Sequence, residues 1–586
     1  MEFFANQVES LGIVQNELLL NKIENSDGRV ADAIKMYESH PSILKIKENV
    51  VINTPFSFEP VTTEIIEKEI QSIKTRKGFP FMDIPPERLK DVIFVVSDFL
   101  RDIWNVEILQ AHKFSTKLKF SDLAPIHKKL DTIFKKNYRG VNILPIVSKI
   151  FERIMDKQVN KYIEEFLSVF LCGYRKFYSP QHAVLVMTEH WKKSLDEGGY
   201  AGGVLMDLSK AFDTINHKLL IAKLHAYGFD IESLEIVYDY LSERWQRTKI
   251  NMAFSTWSEM TCGAPPGSVL GPKLFNIYLN DLFYLFIDTK ACNIADDTTP
   301  YACNMDLKTL LRDLESDVAS AIFWFEANDM LLNELKCHFL MAGNTEEKLW
   351  VTVGGQVIWE SMEEVLLGVN VDKKLLFEGH IMDICKKASV KVTALGRLAR
   401  IIPFKKKKLL MSAFVESQFS YCPLVWMFCS KKLNAKINRI QERVLRMVYL
   451  DYTSSFEDLL KKDGAITVHM RNIQLVAIEM YKIVNDIGPK IMKDLVEFKP
   501  VLRRDENDKV IGDMFVKAKV KTEFMGKGSF RYFGPVVWDQ MLPNDLKSIE
   551  TLDKFKTEVK KWIPHNCKCR LCDEYIRGVG KINRPY

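Results

Sequence analysis

The sequence predicts an α+β fold, and three observations carry that expectation. Short apolar runs end in acids: Gly202-Gly-Val-Leu-Met-Asp207 reads as a buried strand, and a second run leads into Ile294-Ala-Asp-Asp-Thr298. Leu349-Trp-Val-Thr-Val-Gly-Gly-Gln-Val-Ile-Trp359 alternates about Gly354-Gly355, the pattern of a hairpin with a two-residue turn. Helical periodicity fills much of the rest and dominates from about residue 380 to roughly residue 495.

Taken in order, residues 1 to 55 form a weakly patterned, partly helical lead-in. Between Glu59 and Lys74 the spacing of Val61, Ile65, Ile66, Ile70 and Ile73 is helical, and a breaker from Gly78 to Pro86 follows. Residues 88 to 112 read as a helix, because Leu89, Val92, Val95, Val96, Phe99, Ile103 and Ile108 recur near the helical period. Leu144 to Phe170, His217 to Tyr227 and Ile231 to Glu243 are similar. Pro272 to Phe283 is apolar enough for a buried helix, and Asp306 to Asn328 is amphipathic. The Lys-, Arg- and Asp-rich stretch from 502 to 511 reads as an exposed linker, and no internal repeat is visible.

At 586 residues the chain has ample length for a sizeable core and more than one domain. Its 47% hydrophobic and 27% charged composition is that of a globular protein. A net charge of +6 permits a nucleic-acid partner without demanding one. Eleven cysteines, mostly isolated in apolar stretches, point to a reduced chain and not to a disulfide scaffold. No secretory signal and no run of roughly 20 apolar residues is present. The expectation is a soluble intracellular protein of nucleus or cytoplasm, without a membrane partner; oligomeric state is not legible.

The acids carry the chemistry. An Asp-Asp pair alone is weak, but Asp296-Asp297 follows an apolar segment and precedes Thr-Thr-Pro, as at a hairpin tip. With Asp207 at another strand end, three carboxylates can converge. Packed carboxylates repel one another, so such a cluster stays anionic mainly when cations neutralise it. Mg²⁺, with Mn²⁺ as the alternative, takes oxygen ligands of this kind. Two such ions can activate a primer 3′-hydroxyl and stabilise a pyrophosphate leaving group. Between the acids lies Gly263-Ala-Pro-Pro-Gly-Ser-Val-Leu-Gly-Pro272, whose backbone can approach a template or base pair closely. Carboxylate, Gly-rich turn and paired carboxylates is the order expected of a palm-type nucleic-acid polymerase. The alternative is a solvated turn with caps. Phe212, five residues after Asp207, would stand beside a nucleotide sugar and exclude a 2′-hydroxyl, or else simply pack in the core.

Together these segments resemble the reverse transcriptase of non-LTR retrotransposons, LINE-like elements of the jockey type. Asn137-Tyr-Arg-Gly-Val-Asn-Ile-Leu-Pro-Ile-Val-Ser-Lys-Ile-Phe-Glu152 is similar to that family's fingers motif, and Gly173-Tyr-Arg-Lys176 with Ser179 and His182 to the next. Leu205 to Asn216, Gly267 to Pro272 with Asn280-Asp281, and Ala295-Asp-Asp-Thr298 match its palm motifs. Trp324-Phe-Glu-Ala-Asn328 with Leu332, Asn333 and Lys336 resembles the fourth, and Leu367-Gly-Val-Asn-Val-Asp372 the primer-contacting segment. Ser417 to Trp426 and Asn438 to Arg443 resemble the thumb side, so the likeness spans roughly residues 55 to 575.

The resemblance implies a right-hand polymerase: fingers over 56–200, palm over 201–380, a helical basic thumb over 381–500 and a C-terminal extension over 501–586. It implies RNA-templated DNA synthesis from deoxynucleoside triphosphates on a DNA primer or target. It makes Asp207, Asp296 and Asp297 the metal ligands and Phe212 the sugar gate. Arg139 and Lys128 would contact the triphosphate, Gly267 the substrate, Lys336 the departing pyrophosphate and Arg175 the template backbone. Relatives usually carry an upstream endonuclease, and the expectation is that residues 1 to 55 hold none.

Several positions depart from the family pattern. Pro265-Pro266-Gly267 stands where Pro-Gln-Gly is usual, Ile294 where an aromatic precedes Ala-Asp-Asp, and Gly140 where proline follows Asn-Tyr-Arg. Gly78-Phe-Pro-Phe-Met-Asp-Ile-Pro85 is a scrambled turn. The alternative reading is therefore a catalytically impaired or co-opted relic that only binds nucleic acid.

Basic surfaces suit either role. Lys386 to Lys408 holds nine Lys and Arg residues and no acid. After Lys431, the residues Lys432, Lys436, Arg439, Arg443 and Arg446 recur beside an apolar stripe of Leu433, Ile437, Ile440, Val444 and Met447. In the tail, His565-Asn-Cys567-Lys-Cys569-Arg-Leu-Cys572 offers an imidazole and three sulfurs. It lacks a second separated pair, so zinc is not expected there.

Overall fold

The structure, a computed structural model, describes residues 28–74, 83–128, 131–345, 347–500, 503–504 and 510–572. The first 27 residues of the lead-in, residues 78–82 of the breaker and residues 502 and 505–509 of the expected linker lie outside the described residues. The architecture is mixed α and β, as expected, and divides into two compact units. One comprises the chain up to Tyr174, Asp207–Ile287 and Ala319–Asn333; the other comprises Arg175–Met206, Asp288–Val318 and Glu334 onward.

In the first unit, Phe120–His127 pairs antiparallel with Tyr138–Ile143 and parallel with Arg244–Ile250. Arg244–Ile250 also pairs with Ala253–Phe254 and Ser258–Met260. The part of the lead-in that is described forms two helices, Arg29–Met36 and Pro41–Asn49, which pack against the helix His217–Ala226. The second of them is capped by His40, whose Nδ1 accepts from the Ser42 backbone at 3.2 Å. The helices expected from Glu59, Leu144, His217 and Ile231 occur at Thr63–Ser72, Ile146–Ile163, His217–Ala226 and Ile231–Leu241.

The helix expected over 88 to 112 is corrected in two ways. It is broken into Pro86–Asp91, Ile93–Asp102 and a π-helical turn at Ile103–Ile108. Its buried face is Leu89, Ile93, Ser97, Leu100, Trp104 and Ile108, while Val92, Val95 and Phe99 are exposed. The buried face includes the polar Ser97 and leaves three apolar side chains outside it, so selecting apolar residues alone pointed to the wrong face.

The second unit is built on a six-stranded sheet in the order Trp350–Val353, Gln356–Ser361, His338–Ala342, Tyr200–Leu205, Asp297–Asn304, Lys290–Ile294. Only His338–Ala342 with Gln356–Ser361 is parallel; every other neighbour is antiparallel. The hairpin at Gly354-Gly355 forms as expected, both glycines lying at positive φ, as a two-residue turn with matching twist demands. The helix Pro180–Glu197 packs on this sheet.

The C-terminal segment is integral to that unit. Arg531 bonds Asp196 at 2.9 Å, and the backbone N–H of Arg531 donates to Glu189 at 3.0 Å. Burial pushes the Asp196 carboxyl up, but hydrogen bonds from Thr522, the Lys521 backbone and Arg531 outweigh it and leave the group below its ordinary value. Within the stretch expected as an exposed linker, Arg503–Arg504 pairs with Val510–Ile511. No helix among the described residues is long and apolar enough to cross a membrane.

Candidate functional site

Asp207 follows the strand Tyr200–Leu205 by two residues. Met206, just before it, donates its backbone N–H to the Thr298 carbonyl at 3.0 Å. In the first unit, the Asp207 carbonyl accepts from the Asn333 backbone at 2.9 Å, and Leu208–Ser209 pairs with Leu331–Leu332. Asp296 and Asp297 lie in the second unit, at the turn of the hairpin Lys290–Ile294 and Asp297–Asn304. Ile294 pairs with Asp297, so Ala295 and Asp296 form the turn, with Ala295 at φ +55°. Asp296 is half-buried and Asp297 exposed. The fully buried Asn293 braces this turn: its Nδ2 donates to the Ala295 carbonyl at 3.0 Å and to Thr298 Oγ1 at 2.9 Å. Sequence reading passed over Asn293, because nothing local marks a polar side chain that serves its own turn.

The first unit gathers a second group of residues. Phe212 sits in the short helical turn Ala211–Asp213, stacks on Phe275 at 4.3 Å between centroids and meets Tyr174 edge-on. It is half-buried, so it both packs and presents an edge. Beside it, burial raises the Asp213 carboxyl to about 6, against the opposing pull of Lys210, Arg139 and Lys128. The expected pair Arg139 and Lys128, both exposed on the first sheet, thus shares a neighbourhood with Lys210 and Asp213. Those last two belong to the quoted motif, yet its spacing assigned them no role.

The Gly-rich loop is tied down by backbone contacts. Gly263, at φ +81°, donates to the Ile215 carbonyl at 2.8 Å, and Ala264 donates to the Phe212 carbonyl at 3.0 Å. A Cβ on Gly263 would lie 2.8 Å from Asp213 Cα. His217 holds the Gly263 carbonyl at 2.7 Å. Farther along, the Asn142 N–H donates to the Pro266 carbonyl at 2.6 Å. Gly267, at φ +107°, leaves a Cβ only 2.9 Å from the Asn142 carbonyl. Glu152, buried and with its carboxyl raised by that burial, accepts from the Val269 N–H at 2.6 Å. Glycine here serves close approach to Phe212–Asp213 and to the strand Tyr138–Ile143. Of the unusual positions, Gly140 pairs with Pro125 against Leu123, and Ile294 is half-buried at the hairpin end.

Other motif residues lie elsewhere in the two units. Lys223 and Asp281 form a fully buried pair at 2.7 Å, to which Trp324 Nε1 donates at 2.5 Å. Burial lowers the Lys223 ammonium to about 8 despite that partner. Lys336 is exposed at the end of the turn Glu334–Lys336. Arg175 is only 6% exposed and its guanidinium lies 4.2 Å over the Tyr178 ring. On the helix Lys431–Tyr449 the expected apolar stripe is buried, Arg439 and Arg443 are exposed, and Lys436 is half-buried. Arg446 pairs with Glu442 at 2.6 Å.

The tail requires a correction. The imidazole that joins Cys567, Cys569 and Cys572 comes from His469, not from His565, and the four donor atoms lie within 4.8 Å of one another. Tertiary structure supplies the separated ligand that the local spacing lacked.

Comparison with known proteins adds the following. Residues 126–393 match the family described as reverse transcriptase (RNA-dependent DNA polymerase). The chain is 23% identical over 407 residues to the probable RNA-directed DNA polymerase from transposon BS of Drosophila melanogaster, covering 67% of this chain and 45% of that protein. It is 23% identical over 451 residues to the RNA-directed DNA polymerase from mobile element jockey of the same organism, covering 73% and 49%. A retrovirus-related Pol polyprotein from the type-1 retrotransposable element R2 of Popillia japonica is 28% identical over 211 residues, about a third of each chain. The chain thus spans about half the length of the first two curated relatives.

Proposed function

We propose that this chain, whose residues 126–393 match the reverse transcriptase family, is the RNA-directed DNA polymerase of a non-LTR retrotransposon, extending a DNA primer on an RNA template with deoxynucleoside triphosphates. The observation that carries this reading is the family match over residues 126–393, which takes in all three acids. Asp207 directly follows Met206, which bridges to Thr298, and Thr298 directly follows Asp296-Asp297 at a braced hairpin turn. Asp207, Asp296 and Asp297 would hold the divalent ions, because carboxylate oxygens suit Mg²⁺ and accept Mn²⁺. When bound, such ions supply Lewis-acid stabilisation of the attacking and leaving oxygens.

The chain's own residues do the rest. Phe212, backed by Phe275, presents a fixed ring edge where a 2′-hydroxyl would sit and so selects the deoxy sugar. Lys128, Arg139 and Lys210 offer positive charge to a triphosphate. Asp213 among them keeps the cluster from excess self-repulsion until the substrate arrives. The loop 263–272 positions Gly267 beside the templating pair. Lys336 is exposed at the end of its turn, which suits contact with the departing pyrophosphate. The domain roles follow the same reading, with fingers over 56–200, palm over 201–380 and thumb over 381–500; Arg439 and Arg443, with Lys436, would track the duplex backbone. Arg175 would grip the template backbone, its guanidinium held in place over the Tyr178 ring.

The test is primer extension on poly(rA)/oligo(dT) by the purified chain and its Asp207→Ala variant. Template-dependent incorporation lost by at least a hundredfold in the variant is expected on transition-state grounds. Equal incorporation by both would overturn the assignment. A second reading, an impaired relic, has Pro266 in its favour: the proline offers no side-chain amide, and its carbonyl is already engaged by Asn142. Pro266→Gln should then raise incorporation, and no gain would count against a worn substrate-aligning loop.

A further inference from the structure

The deliberate grouping of one imidazole and three thiols in the second unit points to a metal centre distinct from the carboxylates. His469 stands in the first turn of the helix Val468–Val484, a helix seated in the core and capped by Thr467. Cys567, Cys569 and Cys572 come from the tail, nearly a hundred residues later. His469, Cys567 and Cys572 are buried, and Cys569 is half-buried. His469 Nε2 lies 3.1 Å from Cys569 Sγ, while its Nδ1 is buried without a hydrogen-bond partner among the described residues. A buried imidazole normally finds a carboxylate or a carbonyl. Here its polar neighbour is sulfur, and the ring is directed at the thiol cluster.

We propose that His469, Cys567, Cys569 and Cys572 bind one zinc ion and that this ion clamps the tail to the core. The chemistry favours zinc over a hard cation, because three thiolates and one imidazole form a closed tetrahedral set of structural type. Zn–S bonds near 2.3 Å place sulfurs about 3.8 Å apart, so donors already within 4.8 Å need only a small contraction. A disulfide would consume two of the three thiols and leave the third beside the imidazole without a role.

The clamp matters because little else secures the tail end. Trp562 is anchored through its carbonyl, which accepts from Gln474 at 2.6 Å, but beyond it the described tail has few ties, among them the bond from Arg570 to the Cys429 carbonyl at 3.1 Å. The same segment forms one wall of a cavity of about 610 Å³, where Lys568 and Arg570 face Lys431, Lys517 and Lys527. Losing the ion would release that wall.

The experiment is elemental analysis of the full chain, purified reduced and without added metal, followed by substitution with Co²⁺. About one zinc per chain is expected. Co²⁺ should give the intense visible bands of tetrahedral thiolate coordination, with sulfur-to-metal charge transfer in the near ultraviolet. His469→Ala and Cys572→Ser should lose most of the metal, whereas Cys303→Ser, at an exposed cysteine outside the cluster, should keep it. Less than a tenth of an equivalent in the reduced wild-type chain, or equal zinc in the cluster variants and the Cys303 control, would overturn the proposal. So would an intrachain disulfide among the three cysteines in protein kept under reducing conditions. Should the variants not fold, the wild-type Co²⁺ spectrum decides: octahedral, weak bands contradict the assignment. None of these readouts depends on polymerase activity.

Discussion

Two irregular segments of this molecule, the loop 263–272 and the tail 566–572, are held in opposite ways. The loop is pinned through its backbone: Gly263, Ala264 and Pro266 bond to Ile215, Phe212 and Asn142, and Gly267 allows the close approach. The tail is gathered through side-chain donors, three sulfurs facing one imidazole. A backbone-pinned loop resists changes in its side chains and fails where a Cβ cannot be accommodated. A donor-pinned tail tolerates backbone variation and fails when one ligand is lost.

The largest separation between the two should come from metal removal. A strong zinc chelator is expected to raise proteolysis within 563–572 by about tenfold or more, since metal binding is folding free energy for such a segment. The loop should be unaffected, and equal protection of the tail with and without chelator would break the contrast. Next comes Gly263→Val. Its Cβ would meet Asp213 backbone, and its φ is closed to a β-branched residue, so a cost of about 3 kcal/mol or more is expected in denaturant unfolding. Gly267→Ala, with the nearest atom at 2.9 Å and a milder side chain, should cost about 1–3 kcal/mol. A neutral result at Gly267 would show that the loop floats free of the strand.

Asp213 sharpens the picture through pH. Its folded carboxyl is raised to about 6 from an ordinary value of 3.8, so the native state holds that proton more tightly than the unfolded chain does. The stabilisation is fully present below the ordinary value and is lost as pH rises through about 6. Asp213→Asn should therefore raise Tm at pH 8 by about 2 °C or more and have little effect at pH 4. A shift equal at both pH values would contradict the burial account. The smallest effect should be Ser268→Ala, which loses the 3.0 Å bond to the Gly271 N–H and about 1 kcal/mol.

The same division explains what the sequence disclosed. Features set by neighbours in the chain were legible: the hairpin at Gly354-Gly355, the helix Leu307–Ala327, the buried stripe Leu433 to Met447 and the turn at Asp296. Each is fixed by period or by turn chemistry. Features set by distant partners were not. The face of Ile93–Asp102 was misread because it buries the polar Ser97 with Ile93 and Leu100 while apolar Val95 and Phe99 stay exposed. The pairing of Arg503–Arg504 with Val510–Ile511 hid beneath charged composition, and His469 lies far from its cysteines in sequence. Asp213 was in plain view within a motif. Its perturbation comes from burial and from Arg139 and Lys128 on another strand pair, which no spacing reveals.

The central claim is that Asp207 and the tandem acids Asp296 and Asp297 serve one pair of divalent ions. Loading the chain with Fe²⁺ in place of Mg²⁺ and generating hydroxyl radicals cleaves backbone only within a few ångströms of the bound ion. The account predicts cuts beside both Asp207 and Asp296–Asp297, suppressed together by excess Mg²⁺ and lost together in Asp207→Ala. Cleavage beside one acid but not the others, or loss at one position while the other persists, would contradict it.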